Sequence, residues 1–441
     1  MSPVLLALLG LVLAPALLAV VFASLRQPMR IGLPIFAALI PFGKGVAIGP
    51  TPFGSLSSLA GLVLAAGLLL QLVSSRGSSP RIPVDTPIWF IFFGVAAASA
   101  LWSIHRATTL AGVEVLGSLV VVYALVALSH VDRGILRRTE NALMAGATVA
   151  VCYGLVQLFL LGGFPENNVA GLRSPKGRFG NDLLGNNLEA VALILPLVLA
   201  LDRAVTEPRR SRRAGYGLLV ALLLVGVLMT ASRTGTLAIA VAVGALALAS
   251  PQRARKRVMA YLSVGGVAAA LVWIYHPGNI AVRTFDSVTS SSGRSDIWQV
   301  GLEACRKYCA AGSGWGTFPD VYADTQSLVP GARVLVGTGG SYQAHNLWLL
   351  AVVELGAAGL VLLVAGFVVS LSQAARLPET RRGPALGALV GLIVAVCFLS
   401  SMEFKFFWMT LMFVAMNRNL TETEPAPETT GSAPRAAPST A

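Results

Sequence analysis

Charge is what this chain has least of. Only 12% of its 441 residues are Asp, Glu, Lys or Arg, about half the roughly 25% of an ordinary soluble domain. So few charges cannot solvate a globular surface, and a soluble enzyme is excluded. Histidine and cysteine are equally scarce, at four residues each. Cys152, Cys305, Cys309 and Cys397 follow no zinc-ligand spacing, and H-E-x-x-H is missing, so no metal is expected. The G-x-x-x-x-G-K-[ST] phosphate loop is also missing, which removes an ATP-driven cycle, and nothing calls for a cofactor. Asp296 and Asp320 stand alone, so no D-x-D pair awaits a divalent ion.

Apolar residues fill the space. They make up 55% of the chain, mean hydropathy is +0.73, and runs near 20 residues recur from Leu5 to Met416. Each run is long enough to cross a hydrocarbon core about 30 Å thick. Strands of an outer-membrane barrel would be about 10 residues long and alternating. The fold class is therefore an all-α polytopic membrane protein. The runs fall at 4–24, 31–48, 55–74, 86–103, 108–129, 140–163, 183–201, 215–231, 234–250, 258–276, 345–374, 384–401 and 405–417. The last is short, so about 12 or 13 crossings are expected. The first lacks a basic leader and an A-x-A-like exit and reads as a retained helix. This divides the chain into a bundle at 1–276 with a Gly- and Asn-rich loop at 164–182, a large loop domain at 277–344, closing helices at 345–417, and a low-complexity, disordered tail at 418–441.

The net charge of +13 is mostly a topology signal rather than a nucleic-acid patch. Loops 25–30, 75–85, 130–139, 202–214, 251–257 and 375–383 hold 19 of the 33 basic residues and follow one another on one side. By the positive-inside rule that side is cytoplasmic, and both large loops and the N-terminus face outward. Cys305 and Cys309 sit four apart in what reads as an extramembrane helix. Whether they bridge depends on an oxidising compartment.

On the outer side a small polar set departs from the apolar background. Gly177-Arg178-Phe179-Gly180-Asn181 leads into a helix carrying Asn186, Asn187 and Glu189; Ser232-Arg233-Thr234 separates two apolar helices with almost no loop. Ser292 to Trp298 opens a helix inside the large loop and contains Arg294, and Ala344-His345-Asn346 begins the return to the membrane. An ionised group at membrane depth costs several kcal/mol unless it is paired or lines a wet cavity. Snorkelling to headgroups is the plain alternative for Arg233, and a solvated loop charge for Arg178 and Arg294. Together, three arginines at helix starts suit phosphate oxygens. His345 reads as a helix-start cap or as a proton acceptor at neutral pH. Glu354 is either a buried hydrogen-bonding group or a proton site, and Glu189 and Glu114 stand near outer helix ends.

The order of these motifs, continued by Gly312-Ser313-Gly314-Trp315-Gly316-Thr317-Phe318 and Glu354-Leu355-Gly356, resembles the O-antigen ligase and polymerase superfamily of bacterial inner-membrane glycosyltransferases over roughly residues 170–365. The resemblance implies a periplasmic, metal-independent transfer of glycan from an undecaprenyl diphosphate-linked O-antigen donor to a sugar hydroxyl of lipid A–core, with membrane lipids around the site. Arg178, Arg233 and Arg294 would hold the diphosphate, His345 would be the general base of an inverting attack, and Asn346 would orient a substrate. Arg173 and Lys176 stand where they could share the role of Arg178. Segment 333–344 reads as lid or linker, and helix 4–24 as an addition to the common core. A polymerase would extend a lipid-linked glycan, and a protein O-oligosaccharyltransferase would glycosylate Ser or Thr. A transporter or lipid flippase, the reading from another class, would carry internal repeats and midplane charges.

Overall fold

A computed structural model describes residues 3–43, 54–74, 82–160, 186–230, 232–275, 294–332 and 343–423. Among these residues all regular structure is helical. The chain is an all-α, multi-pass membrane protein. The helices are α1 (Pro3–Arg26), α2 (Leu33–Leu39), α3 (Leu56–Ser74), α4 (Asp85–Ala98), α5 (Arg106–Leu128), α6 (Arg133–Leu160), α7 (Asn186–Ala192) and α8 (Ile194–Thr206). They continue as α9 (Arg210–Met229), α10 (Arg233–Ala249), α11 (Gln252–Tyr275), α12 (Arg294–Tyr308), α13 (Phe318–Thr325), α14 (Leu347–Ala375), α15 (Glu379–Val396) and α16 (Lys405–Thr423). By length and composition α3, α5, α9 and α14 can each cross a bilayer unaided, and shorter apolar helices include α4 and α10.

Each apolar run of the sequence coincides with a helix over most of its described residues, but two boundaries move for a physical reason. The run at 183–201 breaks at Leu193 between α7 and α8. Pro196 has no N–H to offer the carbonyl of Ala192, so the helix cannot continue undisturbed there. The helix expected to start at 345 starts at Leu347 instead, because Asn346 is its cap: the side-chain oxygen accepts from the N–H of Leu349 at 3.0 Å. His345 thus precedes the membrane helix. At the other end, α16 runs to Thr423, into the stretch expected as tail.

Close packing sets α10. Gly383, Gly387 and Gly391 recur every fourth residue on α15, and a Cβ on Gly391 would lie 2.7 Å from the Ala242 Cβ, one on Gly387 2.9 Å from the Ala242 carbonyl oxygen. Small residues at this spacing let helix backbones approach where lipid offers no hydrophobic driving force. Gly387→Leu is therefore expected to split the α10–α15 contact and lower the fraction of monodisperse protein in detergent. An unchanged elution profile and melting temperature would show the contact to be dispensable.

A buried polar cluster ties four helices. The Tyr123 hydroxyl donates to Asp85 at 2.5 Å, Gln373 donates to the other carboxylate oxygen at 2.9 Å, and Arg418 lies 3.8 Å from Asp85. Next to it the Asn419 amide donates to the carbonyls of Ala127 and Ser129 where α5 ends.

A second, smaller core joins α12 and α13 to the first turns of α14 through Ile297, Val300, Phe318, Tyr322, Leu349 and Val353. The connecting 311–316 loop docks on the α4–α5 turn: Trp102 donates to the Ala311 carbonyl at 3.0 Å, and the N–H of Trp315 to Ser99 at 3.0 Å. The 294–332 segment is thus fastened at several points rather than hanging from the bundle.

Candidate functional site

Three helix N-termini meet on this platform. Ser232 caps α10 by accepting the Gly235 N–H at 3.1 Å, which makes Arg233 the first residue of that helix. Arg294 is the first residue of α12, and His345 stands one residue before the cap of α14. Each terminus presents the positive end of a helix dipole. Gly235 explains how closely α10 approaches its neighbour α7: a Cβ there would fall 2.3 Å from the Ala190 Cβ.

Two side-chain contacts draw the termini together. Arg294 donates to the Thr234 hydroxyl at 3.3 Å, joining α12 to α10 beside Arg233. Trp298, one turn further along α12, donates its indole N–H to the Ala344 carbonyl at 3.0 Å, joining α12 to the residue before His345. Electrostatics records the same proximity. Burial, and then the charge of Arg233, pulls the Arg294 guanidinium below its ordinary pKa. Burial, and then Arg294, pulls His345 down to about 4. Two cations thus stand side by side, next to an imidazole held in its neutral form.

His345 has a positive φ of 48°, unlike every other described non-glycine residue, and its Nδ1 is buried without a hydrogen-bond partner. A histidine in the left-handed region is uncommon and needs holding in place. Asn346, expected to orient a substrate, is occupied as the α14 cap. Arg173, Lys176 and Arg178 lie outside the described residues. Glu114 is exposed on α5, and Glu189 is fully buried with neither carboxylate oxygen hydrogen-bonded. A cavity of about 710 Å³ lined by Gln27, Arg30, Gln71 and His130 shares no residue with the arginine cluster.

Glu354 is a fixed structural acceptor. Its two oxygens take the N–H groups of Gly316 and Phe318 at 2.8 and 2.9 Å, so α14 holds the 312–318 loop by a side chain. Gly312 and Gly356, both at positive φ, let the two backbones touch: a Cβ on the first would lie 2.3 Å from the Glu354 carbonyl oxygen, and one on the second 2.4 Å from that of Ala310. Thr234 and Glu354 had no decisive local signal in the sequence, because their partners lie 60 and 36 to 38 residues away. Trp298 was visible as a motif residue without a role.

With this geometry in view, residues 218–364 match the family model described as O-antigen ligase (Wzy_C). Over that stretch the chain is similar to the O-antigen ligase family. It is also 26% identical over 347 residues to the exopolysaccharide production protein ExoQ of Rhizobium meliloti (strain 1021), covering 77% of this chain and 76% of that protein. The O-antigen ligase-family match contains Arg233, Arg294, Trp298, His345 and Glu354, whereas Arg173, Lys176 and Arg178 precede it.

Cys305 and Cys309 close a disulfide at the end of α12, and Cys152 and Cys397 are free thiols. Alkylation of the denatured, unreduced protein is therefore expected to label Cys152 and Cys397, with Cys305 and Cys309 labelled only after reduction. Labelling of all four without reductant would place α12 in a reducing compartment.

Proposed function

We propose that this protein is an O-antigen ligase of the bacterial inner membrane. It transfers a glycan from undecaprenyl diphosphate to a sugar hydroxyl of lipid A–core, with inversion and without a metal, at its periplasmic face. The observation that carries the reading is the convergence of Arg233, Arg294 and His345 at three helix N-termini. The arginines and helix ends hold the donor diphosphate and offset the charge that grows on it as the anomeric C–O bond breaks. His345, neutral across the physiological range, accepts the proton of the attacking acceptor hydroxyl, and a hydroxyl brought to Nδ1 would supply its missing hydrogen bond. Arg178, with Arg173 and Lys176, would add charge to the same site. The apolar bundle supplies the surface along which the polyprenyl chain and the acyl chains of lipid A lie.

A second reading has its own observation. The relative in Rhizobium meliloti is an exopolysaccharide production protein, and the same site serves a polymerase if the acceptor is a growing lipid-linked glycan. Reconstitution separates the two. Purified protein in EDTA is given an undecaprenyl diphosphate-linked glycan together with lipid A–core. Glycosylated lipid A–core is the expected product. Elongated lipid-linked glycan would replace the ligase with the polymerase, and no turnover by folded protein would return the case to a transporter.

A further inference from the structure

The transferase reading assigns Arg294 to the leaving group and His345 to the acceptor. It leaves open what keeps these two groups, 51 residues apart in sequence, in register. The reaction demands such register. Attack is in line, so the base must sit a fixed distance across the anomeric carbon from the diphosphate, and a misplacement of about 1 Å can cost on the order of 100-fold in rate.

α12 provides a rigid spacer. Residues 294 and 298 are four apart and share one helical face. From that face Arg294 donates to Thr234, the neighbour of Arg233, at 3.3 Å. Trp298 donates to Ala344, the neighbour of His345, at 3.0 Å. The Trp298 ring also lies 6.3 Å from the Phe398 ring, beyond the end of α15, so the indole is itself held from a second side. On the far side of His345, Asn346 is committed to the Leu349 N–H. The histidine is therefore clamped at both flanking residues, which is what a left-handed conformation at φ 48° requires.

We propose that Trp298 is a positioning residue of the transfer reaction. Resting on the transferase reading above, its indole N–H fixes the His345 imidazole, through the Ala344 carbonyl, at a set distance from the diphosphate bound by Arg294. Donor affinity is set at one end of a single helical turn and placement of the base at the other. Thr234 is the counterpart at the donor end.

The test removes the N–H and keeps the ring. Trp298→Phe, and the isosteric replacement of Trp298 by β-(3-benzothienyl)alanine, retain the apolar contact with Phe398 and lose the hydrogen bond. With a lipid diphosphate glycan as donor, kcat is expected to fall roughly 10- to 100-fold, while the donor KM and the melting temperature stay within about twofold and a few degrees of wild type. A second readout needs no turnover. Modification of His345 by diethyl pyrocarbonate, followed by peptide mass spectrometry, is expected to be several-fold faster in both variants, because the imidazole is no longer held in its slot. Thr234→Val is expected to show the opposite split, with a raised donor KM and a smaller change in kcat. Unchanged kcat and unchanged modification rate in both Trp298 variants would overturn the proposal while leaving the transferase reading intact. Equal loss from a general rise in KM would overturn it too. If wild-type protein transfers nothing, the transferase reading falls, and the modification rate alone decides whether Trp298 holds His345.

Discussion

His345→Ala is expected to lower glycan transfer by about 1,000-fold or more, within or above the range attributed to a positioned general base, while donor binding stays within about twofold of wild type. The proposed function assigns donor affinity to the arginines and helix termini, so the variant should still retain the lipid-linked glycan in a pull-down or a fluorescence-quench titration. The same imidazole sets the acid limb of the pH profile. Burial, followed by the charge of Arg294, holds it down to about 4, against an ordinary value near 6.5. A base works in its deprotonated form, so kcat/KM should rise through about pH 4 and stay level across neutrality. Arg294→Gln removes a cation that disfavours the imidazolium, so in that variant the limb should move to higher pH. Bound donor acts in the same direction, since its diphosphate offsets the arginine charge, and the limb in kcat should lie above the limb in kcat/KM. A wild-type limb near pH 6.5, or transfer that survives in His345→Ala, would remove His345 from the chemistry.

The second large effect concerns the scaffold. Glu354 is 1% exposed and accepts two backbone N–H groups from the 312–318 loop. Glu354→Ala leaves both without an acceptor in a dry setting, at a cost of about 1–3 kcal/mol for each, or roughly 2–6 kcal/mol together. Marginal stability makes that a large fraction of what holds the 312–318 loop on α14. The expected result is a steep drop in folded, monodisperse protein, with a melting temperature lowered by several degrees. Glu354→Gln keeps one carbonyl oxygen and should fall between wild type and alanine. If Glu354→Ala melts with wild type but loses transfer, the carboxylate is part of the chemistry instead.

Much of this organisation is legible in the sequence, and the boundary between legible and hidden has a physical basis. Apolar runs announce helices because lipid admits no other open backbone arrangement. Arg233, Arg294 and His345 stood out because polar groups beside apolar runs are costly and few. The break at Leu193 had a signal in Pro196, and the cap at Asn346 had one in its place just ahead of an apolar run. What sequence could not supply was pairing across distance. The contacts of Arg294 with Thr234, Trp298 with Ala344, and Glu354 with Gly316 and Phe318 join segments that no local pattern relates. Arg178 remains a sequence expectation.

The cluster around Asp85 bears on the order in which the protein is made. Asp85 and Tyr123 enter the membrane well before Gln373, Arg418 and Asn419, which follow Asp85 by 288 residues or more. For most of translation the carboxylate has the tyrosine but neither the amide nor the guanidinium, and the end of α5 lacks the amide that later covers its carbonyls. An incomplete set of partners in hydrocarbon favours a loose early bundle that neighbouring chains and insertion factors can still handle. Arrival of α16 completes the set. Until α16 packs, the bundle keeps a carboxylate short of its cation, so closure of the four helices is coupled to the docking of that helix.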